Sequence, residues 1–208
     1  MSSDPAQQIS SLSTDVVRGR SRDVTLGLRA PLSATELRSG TSLAPGFSIF
    51  WDDTQDGVRV RAGSKDGEMR HVEIDVSGDA EWLSLVLWLG NGEVVGGSAL
   101  VAIFDLETDS DLRIDPFLRT GEHSPQSDTP LQDKVIAGPG GAVSTLIHIA
   151  DPFEPICRSD AGQSLVLPLP TRSLSLGIRG LSLHLLTPGN GPARPLDRLS
   201  AVLGQKGG

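Results

Sequence analysis

Ten short apolar-rich segments, each cut off by Gly, Pro, Asn or Asp, follow one another along this chain with almost no amphipathic helix between them. They run Val24 to Arg29, Phe47 to Trp51, Val58 to Ala62, Val72 to Val76, Trp82 to Leu89, Val94 to Leu106, Leu112 to Leu118, Val143 to Ile149, Leu165 to Leu169 and Leu174 to Leu186. Parallel neighbours need crossovers of a dozen or more residues, usually helical, so strands joined by turns predict antiparallel sheets. A sheet with one apolar face must cover it, and 208 residues suffice to do so with a second sheet. The predicted fold is all-β: an antiparallel two-sheet β-sandwich, jelly-roll-like, with one or two short helices.

Both helices are read from caps. Ser33-Ala-Thr-Glu36 fits a capping box, with Gly40 placed to end the turn. After Pro195, Leu196, Leu199, Val202 and Leu203 recur near helical spacing, and Gly204 supplies a stop. Residues 1–22 are polar, rich in Ser and Gln, and close on Arg18, Arg20 and Arg22. They read as an arm that a partner would order, before a sandwich over 23–190 and a C-terminal helix and tail over 191–208.

Three strand connections can be argued residue by residue. Asn91-Gly92 suits a two-residue type I′ hairpin, which would pair Leu89 with Val94 and Trp88 with Val95. Around Lys65-Asp66-Gly67 a two-residue loop would oppose Arg61 to Val72 and mix the faces. Parity therefore selects a three-residue turn that sets Val60 opposite Val72 and Val58 opposite Ile74. Leu174, Leu176 and Ile178 alternate in one phase, and Leu181, Leu183 and Leu185 in the other. Arg179-Gly180 is a poor primed turn, which favours one long strand with a bulge at Gly180 over a hairpin there.

Charge narrows the partners. With 18 basic against 26 acidic residues the net charge is -8, so no field recruits a polyanion and nucleic acid is not an expected partner. No apolar run is long enough for a membrane span, and Met1 to Asp23 lacks the core of a secretory signal, which predicts a cytoplasmic protein or one released without a classical signal. Only three of the 18 basic residues are lysine, an arginine bias typical of GC-rich bacterial genomes.

Catalytic signatures are missing from the sequence: there is no G-x-S-x-G elbow, no H-E-x-x-H, no Walker loop and no dinucleotide fingerprint. Gly138-Pro-Gly-Gly141 precedes a strand and opens no helix, so it reads as a loop. Cys157 is the single cysteine, which excludes an internal disulfide and reads as an inert thiol. His148 falls on the face of Leu146 and reads as a hydrogen-bonded structural imidazole, as does His184. No cofactor is expected, with calcium the one candidate ion. Asp105, Glu107, Asp109 and Asp111 would share one side of an extended strand and could offer it oxygens, although Thr108-Asp109-Ser110 is turn chemistry that would break that geometry.

The tryptophans carry the binding reading. In the strand Trp82 to Leu89, the four leucines form one face and Trp82, Ser84, Val86 and Trp88 the other. An indole beside hydroxyls is a platform for a sugar ring. The candidate ligand-binding set is Trp82 and Trp88 with Trp51 and the turn acids Asp52, Asp53 and Asp56. The expected function is a non-catalytic binding module for a glycan or protein partner. The alternative is a structural or assembly protein, a homo-oligomer whose arm and C-terminal helix make the subunit contacts.

Overall fold

The computed structural model describes residues 18–54, 57–65, 68–121, 126–157 and 161–187. The elements are β1 Arg18–Asp23, α1 Thr25–Arg29, β2 Thr35–Glu36, β3 Thr41–Ala44, β4 Phe47–Trp51, β5 Val58–Lys65, β6 Met69–Val76 and β7 Leu83–Asn91. They continue as β8 Ala99–Thr108, β9 Leu112–Ile114, β10 Phe117–Thr120, β11 Ser127–Pro130, β12 Val135–Ala137 and β13 Ala142–Ile149, then a 3-10 turn Pro155–Cys157, β14 Gly162–Pro168 and β15 Leu174–Thr187. Two antiparallel sheets form the expected sandwich. Sheet I has the order β13-β8-β15-β6-β5-β2, with β1 added beside the second half of β15; sheet II has the order β11-β10-β14-β7-β4-β3.

Alternation builds the core. Leu100, Ala102, Phe104 and Leu106 of β8, in sheet I, and Leu83, Leu85 and Leu87 of β7, in sheet II, are all buried in one hydrophobic core. At about 25 cal/mol per Å² of apolar surface, this interleaved layer is the main favourable contribution to stability. The bulge at Gly180 is present: the β15–β8 register shifts between Ile178 and Gly180, which resets the phase so that leucines on both sides of it point inward.

Several local expectations are corrected. Val24 to Arg29 is not the expected strand: Thr25–Arg29 is α1, and Val24 is its N-cap. Val24 and Leu28 bury at helical spacing, and Leu26 is left 80% exposed. Ser33 to Ser39 is not helical: Thr35 and Glu36 pair with Ala62 and Arg61 at the edge of sheet I, where β5 offers a ladder that wins over the capping box. Residues 18–22 are not the end of an arm but most of β1, paired with β15 from Arg18↔Thr187 to Asp23↔Ser182. The helix expected after Pro195, and residues 1–17, lie outside the described residues.

Asn91-Gly92 makes no hairpin either. Although Gly92 does take φ 62, β7 lies in sheet II and β8 in sheet I, so residues 92–98 cross between the layers. The β5–β6 pair has the predicted parity with its register moved by two: Val60 opposes Ile74, Val58 opposes Val76 and Lys65 opposes Met69. Apolar and polar faces therefore separate as expected.

Candidate functional site

Cross-strand partners share a face, so the register of sheet II fixes which of its alternate side chains are neighbours on its outer surface. Trp88 of β7 lies opposite Ser164 of β14, and Val86 opposite Val166. On β10, Arg119 is beside Ser164 and Phe117 beside Val166, with Asp128 and Pro130 of β11 completing those two rows. On the other side Ser48 and Phe50 of β4 oppose Val86 and Ser84. Small residues thus hold the centre, with Ser84, Ser164 and Val166 buried beneath taller neighbours. Phe50, Trp88 and Phe117 stand half-buried around them.

The polar groups of this face are fixed. Arg119 donates through Nε and Nη2 to the two carboxylate oxygens of Asp128, both at 2.8 Å, and its guanidinium lies 5.0 Å from the Phe117 ring centroid. The hydrogen bond to Asp128 raises the Arg119 pKa above its ordinary value, so the charge is permanent. Behind the face, Arg22 of β1 donates to the carbonyl of Trp88 at 2.6 Å and Arg20 pairs with Glu93 at 2.5 Å, tying the two sheets together at this end. Gly46, at φ 73, ends the β3–β4 turn where a Cβ would strike the Arg22 guanidinium.

The residues expected to bind ligand divide into two groups. Trp88 lies on the outer face, opposite Ser164, and Trp82 is 47% exposed just before β7. Trp51 does not join them: it pairs with Leu83, points into the core and is only 5% exposed. Asp52 is also buried, its carboxylate accepting from the hydroxyl and amide of Thr54 and the amide of Glu81, so it closes a turn. Asp53 is exposed in that same turn, and Asp56 lies outside the described residues. Phe50, Phe117, Arg119 and Asp128 were missed. The signal for Phe50 was present in the alternation of Phe47, Ile49 and Trp51, which leaves Ser48 and Phe50 pointing out.

The four acids considered for calcium are not brought together. Asp105 and Glu107 lie on the outer face of β8, but Glu107 is held by Arg179, and the strand ends at Thr108, whose hydroxyl donates to the carbonyl of Ser110. Asp109 and Asp111 are carried off by that turn. No group of three or more His, Cys, Asp or Glu among the described residues stands close enough to share a metal ion. Glu107 and Asp109 instead line a small polar pocket of about 160 Å³ with Lys65 and His71. His148 is bonded to Glu154 at 2.9 Å, and His184 to the hydroxyl of Ser21 at 2.8 Å. Burial, with Glu154 and Asp151 nearby, pushes the Cys157 thiol up, away from nucleophilic use.

No family model matches the sequence. No curated protein matches it either. Solved structures do share the architecture. A cyclase from Fischerella sp. TAU superposes with a TM-score of 0.50 at 11% identity, covering 84% of this chain and 100% of that one. A family 11 carbohydrate-binding module from Clostridium thermocellum, in complex with a β-1,3-1,4-mixed-linked tetrasaccharide, gives 0.44 at 10% identity over 74% and 96% of the two chains. A CBM22-1 xylan-binding domain from Paenibacillus barcinonensis gives 0.44 at 10% identity over 74% and 94%. The likeness is one of fold, and the class it defines is the antiparallel β-sandwich.

Proposed function

We propose that this chain is a non-catalytic binding module that holds an extended glycan along the outer face of sheet II. One observation carries the reading: Phe50, Trp88 and Phe117 all lie on that face, interspersed with Ser48 and a fixed Arg119–Asp128 pair, and the exposed Trp82 stands just before β7 at its end. Sugar rings present apolar C–H faces and equatorial hydroxyls, and rings plus planar hydrogen-bonding groups answer both. Trp82, just before β7, and Trp88, within it, are six residues apart, about 20 Å at ~3.3 Å per residue of extended chain, so they would contact different units of a chain rather than sandwich one ring. Oligosaccharides should bind better than monosaccharides.

Binding to an array of plant, fungal and bacterial polysaccharides, followed by calorimetry with oligomers of the best hit, tests this. Trp88→Ala and Phe117→Ala should each weaken binding about tenfold, on the order of 1 to 2 kcal/mol per stacked ring, with the fold intact. Absence of binding to every glycan class, or an unchanged Kd in both variants, would remove this face as the site.

A further inference from the structure

The outer face of sheet I carries a notch where β5, β6, β15 and β8 lie side by side. Its floor is made by residues with little or no side chain. Gly177 of β15 stands between His71 of β6 and Glu107 of β8, and in the next row Ser175 lies opposite Glu73. A Cβ added at Gly177 would come within 2.7 Å of the Met69 sulfur and 3.3 Å of the Glu107 Cβ, so glycine is what keeps the floor low. Longer side chains make the walls, Lys65 and His71 on one side and Glu107 and Asp109 on the other, around a space of about 160 Å³. That is below the ~300–1,000 Å³ of a site for a drug-sized ligand and suits a molecule of amino-acid size.

Most of the charge here is already matched. Arg179 donates to the Glu107 carboxylate and to the carbonyl of Gly140. His71 Nε2 lies 3.5 Å from the Glu73 carboxylate, and Arg61 stands opposite Glu73 on β5. Two exposed charges are left over. Among the described residues, no hydrogen bond or ion pair engages the Lys65 ammonium or the Asp109 carboxylate. They belong to opposite walls: Lys65 ends β5 and Asp109 follows β8, and those strands are three spacings apart, about 14 Å at ~4.8 Å each.

We propose that the notch binds a small zwitterion whose ammonium and carboxylate are several bonds apart, an ω-amino acid. Lys65 would donate to its carboxylate, and its ammonium would donate to Asp109 and to the half-buried Ser175 hydroxyl. One cation and one anion facing each other across a gap are complementary to a ligand that carries both, and a charge-assisted hydrogen bond at each end fixes its direction. A simple anion would leave Asp109 unmatched and meet the Glu73 and Glu107 carboxylates nearby; a simple cation would leave Lys65 unmatched. A neutral sugar would answer neither charge. The zwitterion has no net charge, so the -8 of the chain does not repel it. The notch is on the sheet opposite the proposed glycan face and does not depend on it.

Titration of the isotope-labelled full chain with γ-aminobutyrate, followed by NMR, tests the proposal, with butyrate and butylammonium as single-charge controls and glucose as a neutral one. Saturable shifts are expected at the amides around Lys65, Asp109 and Gly177 at concentrations up to about 20 mM, and each control should bind at least about tenfold more weakly. Lys65→Met and Asp109→Asn should each weaken γ-aminobutyrate by about fivefold or more through the loss of one charge-assisted contact. Both side chains are exposed, so an undisturbed spectrum elsewhere certifies the fold, and Lys65→Gln or Asp109→Ser serves should it be lost. The absence of saturable shifts at the notch, a control that binds within tenfold of γ-aminobutyrate, or a smaller loss in either variant overturns the proposal.

Discussion

Trp51 and Trp82 belong to the same two-strand neighbourhood yet have opposite roles, because the first pairs with Leu83 toward the core and the second precedes it facing water. Trp51→Ala should lower stability by about 3 to 5 kcal/mol through lost burial and a cavity, whereas Trp82→Ala should cost under about 1 kcal/mol. Urea midpoints of the two variants decide this, and equal losses would contradict the placement. Asp52 offers a second residue-level test. The hydroxyl and then the amide of Thr54, with the Glu81 amide behind them, hold its carboxyl below the ordinary 3.8. A depressed folded pKa means that the stabilisation is present above the unfolded value and is lost as pH falls through the folded one. Asp52→Asn keeps an acceptor for Thr54 but cannot titrate. The variant should therefore show a shallower loss of stability below about pH 4, measured by denaturation at stepped pH.

At the scale of elements, the crossing from β7 to β8 depends on one side chain. Gln163 of β14 is fully buried, and its carbonyl oxygen accepts from the amides of Glu93 and Val94 at 2.7 and 2.9 Å. Its amide nitrogen donates to the carbonyls of Val94 and Ile156 at 3.2 and 2.7 Å. The backbone groups that a hairpin would have paired are satisfied from the side, which lets residues 92–98 leave sheet II without orphaned polar groups. Gln163→Leu keeps the volume and strands those groups, so it should cost roughly 3 kcal/mol or more by urea titration. A loss below about 1 kcal/mol would show that the crossing holds itself. Asn91-Gly92 looked like a hairpin because local turn chemistry favoured one; nothing within the segment names Gln163, which lies some 70 positions further on.

Across the whole molecule, pairing is dominated by sequence-distant partners: β1 with β15, β4 with β7, and β14 with both β7 and β10. Loop closure must be completed before such contacts repay it, so refolding should take milliseconds to seconds rather than microseconds. Stopped-flow fluorescence reports this through the buried Trp51, and a dominant sub-millisecond phase would count against the topology.

The period-two alternation of its apolar residues determined much about this chain by itself. It dictated the antiparallel sandwich, the inward leucines of β7, the parity of β5–β6 and the bulge at Gly180, because alternation fixes which way a side chain points wherever the backbone is extended. The outward direction of Trp88 was legible for the same reason. Tertiary structure decided what alternation leaves open, namely which strand lies beside which. It placed Phe117 and Arg119 on the face of Trp88, sent Trp51 inward, bound the Asp52 carboxylate into a turn, made a helix of Thr25–Arg29, and made a strand of the polar residues 18–23. A strand carrying Arg20 and Arg22 has no apolar face to announce it; it exists because β15 supplies its ladder, and Glu93 and the Trp88 carbonyl supply its charges with partners.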